Sequence, residues 1–179
     1  MSVKLEAGPK ALITEARIRQ RVRELGQEIT QEYKGKDLVV VCILKGSFIF
    51  FADLIRSIDL PITCEFMGLS SYGSGTKSSG EVKVTLDLQE PIQGKHVLLV
   101  EDIVDSGLTV SYLLTSLKTR KPASIKTVAL LVKPENIETD VEVEYTGFRI
   151  GREFVIGYGL DYAGRFRQLP YVGIFEQEN

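Results

Sequence analysis

A chain of 179 residues with 44% hydrophobic and 26% charged residues has the length of one globular domain and enough apolar content to fold without a disulfide or a metal. Global disorder is excluded by composition, and the longest apolar runs, Leu38–Leu44 and Phe48–Ala52, fall far short of the roughly 20 residues a membrane span needs. The net charge of −2, from 22 basic and 24 acidic residues, argues against a general nucleic-acid surface, and the single His, His96, leaves no material for a His-rich metal site or a His-dependent triad. The N-terminus lacks an apolar stretch of signal-peptide length, so a cytoplasmic protein is expected. Cys42 and Cys64 sit within apolar runs and read as core residues rather than as a disulfide.

In chain order, Ile13–Lys34 reads as an amphipathic helix. Thr14 can cap it, Ile18, Val22, Leu25 and Ile29 recur at helical spacing, and Gly35 can end it. Leu38–Leu44 is continuously apolar and β-branched, which suits a strand buried on both faces. Ser47–Ile58 reads as a helix and Ile62–Leu69 as a strand. Ser70–Gly80 is Gly/Ser-rich, and Glu81–Leu86 alternates weakly, as an edge strand does. His96–Val100 is a second buried-type strand, Thr109–Arg120 a helix and Ile125–Val132 a third buried strand. Phe154–Tyr158 and Val172–Phe175 are short strands. Strands alternating with helices imply an α/β fold with a mostly parallel sheet and helices on both faces. A single domain over 1–179 is expected, with a core at about 36–160 and a small hood formed by 1–35 and 161–179. Ligands of such sheets bind at the carboxyl ends of the strands, near a topological switch point.

The segment after His96–Val100 carries the chemistry. Glu101 and Asp102 close the strand, Asp105 follows, and Ser106, Gly107, Leu108 and Thr109 lead into a helix. Unpaired amides and the helix dipole favour an anion there, and a phosphate monoester fits. Gly107 lets the backbone approach it. Glu101 and Asp102 would repel a phosphate and suit a diol or a divalent cation instead. The combination asks for a terminal phosphate, a neighbouring diol and a metal, as a ribose 5-phosphate with its cation provides. Each feature alone is more often an ordinary strand–loop–helix joint with solvated acids and a Ser/Thr cap, whereas the whole nine-residue pattern is much more specific.

VLLVEDIVDSGLTV resembles the phosphoribosyl-diphosphate (PRPP) binding motif of type I phosphoribosyltransferases, and more narrowly that of the hypoxanthine-guanine phosphoribosyltransferases. Leu44-Lys45-Gly46 resembles their diphosphate loop, Ser70-Ser71-Tyr72 the start of their mobile catalytic loop, and Leu131-Val132-Lys133-Pro134 their purine-contacting lysine segment. Phe154 to Tyr162 resembles their base-stacking and metal segment, and Arg165-Phe166-Arg167 their tail. The likeness runs from about Leu38 to Val172, and the motif order fits a short bacterial form.

The resemblance implies transfer of 5-phosphoribosyl from PRPP to N9 of hypoxanthine or guanine, with Mg²⁺, in purine salvage. It implies Asp105 as general acid/base beside N7 of the purine, and Glu101 and Asp102 on the ribose hydroxyls, directly or through Mg²⁺. Asp161 would be a second metal contact. Ile103, Val104, Ser106, Gly107, Leu108 and Thr109 would line the phosphate loop, and Lys45, Gly46 and Arg167, with Arg165 as rival, the diphosphate. Lys133 would donate to O6, Phe154 would stack on the base, and the carbonyls of Val155 and Asp161 would accept from an exocyclic amine. Ser71 and Tyr72 belong to a candidate lid, Ser70–Gly80. The counterpart of Lys45 in the family follows a non-proline cis peptide, which the sequence cannot reveal here. A different base such as xanthine or uracil, or an RNA-binding regulator on the same fold, remain as alternatives. Dimers or tetramers are implied, and Phe48, Phe50 and Phe51 offer more apolar surface than one helix face needs. Neither a nucleic acid nor a membrane is expected as a partner.

Overall fold

Seven successive apolar residues with β-branched character, Leu38–Leu44, form the central strand β2, because a strand covered on both faces has no polar side to present. The computed structural model describes residues 9–71 and 82–176. The other strands are β1 (Ala11–Ile13), β3 (Ile62–Ser71), β4 (Val82–Leu86), β5 (His96–Val104), β6 (Ser124–Val132), β7 (Tyr145–Arg149), β8 (Val155–Ile156) and β9 (Val172–Ile174). The helices are α1 (Glu15–Glu32), α2 (Phe48–Ile55) and α3 (Leu108–Lys118), and a 3-10 turn spans Pro134–Asn136.

Six strands form the main sheet in the order β4-β3-β2-β5-β6-β7. All its pairs are parallel except β3 with β4. Side chains alternate across it, as a period of two requires. Leu38, Val40 and Cys42 face α1 and α2 together with Leu98, Val100 and Val128. Val39, Val41 and Ile43 face the other way and meet Leu113 and Leu117 of α3. The expected α/β layering is therefore observed. The chain passes from β2 outward to β3 on one side and to β5 and β6 on the other, so the switch point lies between the carboxyl ends of β2 and β5.

Helix α1 begins where Thr14 accepts from the Arg17 N–H, and its stripe of Ile18, Val22, Leu25 and Ile29 is fully covered. Truncating Leu25 to Ala would cost about 2–5 kcal/mol through lost burial and the cavity left behind. That stripe belongs to the same apolar cluster as β2, so α1 covers one face of the main sheet. A separate three-stranded sheet, β1-β9-β8, is also present, and β1 ends at Ile13, where the sequence reading begins the helix. Two further differences concern β5 and β7. Strand β5 runs past Val100 to Val104, paired with β6 through Val104 and Val132. Strand β7, absent from the sequence reading, adds to the edge of β6. Of the three phenylalanines of α2, Phe50 and Phe51 are buried within the chain, and Phe48 alone is 43% exposed.

Candidate active site

Because β5 stays in the sheet through Val104, Glu101 and Asp102 are anchored at its carboxyl end rather than carried on a loop. Gly46, just past the end of β2, packs directly against Asp102, and a Cβ on Gly46 would overlap Asp102 Oδ2. The peptide joining Leu44 to Lys45 is cis. Gly159 closes the same corner, since a Cβ there would overlap the Gly46 carbonyl. Arg167 Nη1 donates to the Gly159 carbonyl at 2.6 Å and Nη2 pairs with Asp161 Oδ1 at 2.6 Å. Asp161 also accepts from the Gly164 N–H at 2.7 Å. Arg165 is exposed and engaged through its backbone with Tyr162, so Arg167 is the arginine turned toward this corner.

The acids here are held against their own charge. Glu101 is 5% exposed, and its Oε1 has no hydrogen-bond partner among the described residues. Burial pushes its carboxyl well above the usual range, and the neighbouring Asp102 adds to the rise. Asp102 is pushed up to about 6 by its enclosure, against the lowering influence of the Ile103 N–H and Arg167. A buried carboxylate with an orphaned oxygen beside a half-buried one fits a partner that brings hydroxyls or positive charge. Among the described residues no three His, Cys, Asp or Glu side chains gather into a metal cluster, so Glu101, Asp102 and Asp161 do not form one protein cage. Glu101 and Asp102 could serve Mg²⁺, which is usually held by one or two carboxylates with substrate oxygens and water.

The phosphate loop follows. Gly107 caps α3 with φ of 83°, in the left-handed region, and has no side chain to satisfy the first amides of the helix. Thr139 and Val141 press on it from behind, where a Cβ would overlap Thr139 Oγ1. The Ser106 carbonyl accepts from the Glu138 N–H at 3.0 Å. Ser106 Oγ accepts weakly from the Leu108 N–H at 3.4 Å, and Thr109 is exposed beside it. Amides at the foot of an 11-residue helix are thus directed outward, as a phosphate requires.

Asp105 stands between the acids and this loop. Lys133 directly follows β6, and its Nζ donates to Asp105 Oδ2 at 3.0 Å, while Asn136 Nδ2 donates to Oδ1 at 2.7 Å. Partial burial works against the charge of Asp105, but those two hydrogen bonds and the Lys133 ammonium outweigh it and hold the carboxyl below the usual aspartate range. The sequence reading missed Asn136. Its signal was present, since Pro134 opens a 3-10 turn and residues three apart on such a turn share a side, which aligns Asn136 with Lys133.

Phe154 is 52% exposed, with Tyr162 and Phe175 packed against it edge-on. Val155 is buried in β8. Tyr72 and the rest of the expected lid, 72–80, lie outside the described residues, and only the backbone of Ser71 is described, at the end of β3. The structure therefore gathers Lys45, Gly46, Glu101, Asp102, Asp161 and Arg167 at one corner and Asp105, Lys133 and Asn136 at the next, with the phosphate loop alongside.

Comparison with known proteins shows which family the chain resembles. The model of the phosphoribosyl transferase domain family matches residues 10–163. The hypoxanthine-guanine phosphoribosyltransferase of Dictyostelium discoideum is 51% identical over 173 residues, covering 94% of this chain and 96% of that protein. A bifunctional TilS/HprT protein of Listeria monocytogenes serotype 4b is 49% identical over 169 residues, covering 94% of this chain but 26% of that protein. This chain thus spans about a quarter of the length of that bifunctional relative. A crystal structure of a hypoxanthine phosphoribosyltransferase from Staphylococcus aureus matches with a TM-score of 0.90 at 45% identity, over 93% of this chain and 91% of that one. The chain belongs to the phosphoribosyl transferase domain family, and within it to the hypoxanthine-guanine phosphoribosyltransferases.

Proposed function

We propose that the chain transfers the 5-phosphoribosyl group of PRPP to N9 of hypoxanthine or guanine, releasing diphosphate, as a step of purine salvage. The observation that carries this reading is the pair Lys133 Nζ and Asp105 Oδ2, donor and acceptor 3.0 Å apart at the sheet edge. A 6-oxopurine presents the complementary pair on one edge, with O6 accepting and N7–H donating. Adenine presents an amino donor at the 6-position, so donor would face donor.

In this reading the α3 amides with Ser106 and Thr109 hold the 5-phosphate, and Glu101 and Asp102 hold the ribose hydroxyls. Arg167, whose planar fork suits phosphate oxygens, and the backbone of Lys45 and Gly46 border the diphosphate. Phe154 supplies a ring face for the base. Holding base and ribose in place removes much of the entropic cost of a two-substrate reaction. As N9 bonds to C1′ and the bond from C1′ to diphosphate breaks, Asp105 Oδ2 takes the proton from N7. Mg²⁺, held by Asp161 and by Asp102 or Glu101 together with substrate oxygens, would supply positive charge that stabilises the departing diphosphate.

The test is an initial-rate panel with PRPP and Mg²⁺ against hypoxanthine, guanine, xanthine, adenine and uracil. Nucleotide formation with hypoxanthine and guanine, at least about tenfold preferred over adenine, is expected from one charged hydrogen bond. Preference for adenine or uracil, or no nucleotide with any base, would overturn the reading.

A further inference from the structure

Asp105 has two oxygens, and the fold gives each a different partner. Oδ2 faces Lys133 Nζ and Oδ1 faces the Asn136 amide at 2.7 Å. Both donors come from one short turn, which the Asn136 N–H closes on the Lys133 carbonyl at 3.0 Å. The continuation of that turn is tied to the phosphate loop, through the Glu138 N–H on the Ser106 carbonyl. Among the described residues Lys133 is the only charged side chain paired with Asp105. The other charged neighbours on this segment are Glu135, paired with Arg152 at 3.3 Å, and the exposed Glu138.

We propose that Asn136 is a positioning residue for Asp105, holding Oδ1 so that Oδ2 is the oxygen presented to the base when Lys133 leaves it for O6. The proposal rests on the reading of Asp105 as the acid/base group. Lys133 cannot serve both partners equally. Once its ammonium turns to the purine, Asn136 is the side-chain donor that stays on the carboxylate. In the forward step the C1′–N9 bond forms, and the bond from C1′ to diphosphate breaks with its electron pair leaving on diphosphate. The N7 proton passes to Oδ2. Oδ1 then has carbonyl character and still accepts from the Asn136 amide, so the hydrogen bond survives the proton transfer. A donor on the ionised form also favours that form, which the base role needs.

The experiment measures kcat for hypoxanthine as a function of pH, with KM for PRPP, in Asn136→Ala, Asn136→Gln and Asn136→Asp, each alone and combined with Asp105→Asn. Asn136→Ala should lower kcat about tenfold, leave KM for PRPP near wild type, and move the acid limb of the profile up by about one pH unit. Asn136→Asp, which sets a second carboxylate against Oδ1, should move the limb further in the same direction. Asn136→Gln keeps the amide and should hold the limb near wild type. None of the three should matter once Asp105 is Asn, because they act through it. An unchanged kcat and acid limb in Asn136→Ala, with Asp105→Asn slow, would overturn the inference alone. Equal losses from Asn136→Ala with and without Asp105 would also overturn it. Normal turnover by Asp105→Asn would overturn both the inference and the reading beneath it.

Discussion

Lys133 and Asp105, 28 residues apart in the chain, satisfy each other across the carboxyl edge of the sheet at 3.0 Å, with the lysine side chain 9% exposed and the carboxylate 50% exposed. A nearly buried ammonium is thereby kept paired in the free protein, and a half-exposed carboxylate is aimed outward. In the proposed reading, an incoming base takes over both partners. A 6-oxopurine edge can do so without leaving either charge unmet, whereas an adenine edge strands the ammonium.

Replacing Asp105 with Asn keeps the shape and removes the proton acceptor. Turnover with hypoxanthine is expected to fall by about 10²–10⁴, the usual range for an acid/base group. The fold and PRPP affinity should persist, since the proposed phosphate and diol contacts are those of Thr109, Ser106, Glu101 and Asp102. Steady-state kcat beside PRPP titration calorimetry checks this. Wild-type turnover would remove the assignment.

Glu101 and Asp102 make the ligand-free protein less stable as pH rises. Their carboxyls ionise near pH 4 when unfolded, and Asp102 is pushed up to about 6 when folded. A carboxyl raised in the folded state imposes no penalty below the unfolded value and a growing one as pH passes through the folded value. Asp102→Asn is therefore expected to stabilise the ligand-free chain by about 1–3 kcal/mol at about pH 8 and by little at about pH 4. The same change should weaken PRPP binding. Thermal unfolding at the two pH values gives the answer, and a destabilised variant at the higher pH would contradict it.

Gly46 leaves no room for a side chain, because a Cβ would meet Asp102 Oδ2 and the Gly46 carbonyl already abuts Gly159. Gly46→Ala should displace the Asp102 carboxylate and raise KM for PRPP by about tenfold or more, while leaving base discrimination unchanged. A wild-type KM for PRPP would show that this corner lies away from the ribosyl group.

Much of the fold was legible because the decisive segments obey one rule at a time. Leu38–Leu44 is apolar throughout and became the central strand, and the stripe of Ile18, Val22, Leu25 and Ile29 became one buried helix face. Strand β7 was not legible. Its YTGFR sequence carries a glycine that weakens the strand signal, and that glycine is there because it packs on the Leu130 carbonyl of β6. The end of β5 was misplaced for a related reason. Two acids in succession read as the close of the strand, yet the backbone keeps its ladder to Val104. The nine-residue segment from Glu101 to Thr109 pointed in the sequence to a phosphate and a diol, and it joins the end of β5 to the start of α3. Asn136 was missed although Pro134 signals the turn that sets it beside Lys133, because its contact with Asp105 is one that no local pattern encodes.

The central claim is that Lys133 and Asp105 together read a 6-oxopurine and transfer its proton. Its most direct test is kcat/KM for hypoxanthine, guanine and adenine in wild type beside Lys133→Ala. The account predicts a loss of about tenfold to a hundredfold for hypoxanthine and guanine, the worth of one charged hydrogen bond, with weakened discrimination against adenine and little change in KM for PRPP. An unchanged hypoxanthine value would place Lys133 outside the base site and contradict the account.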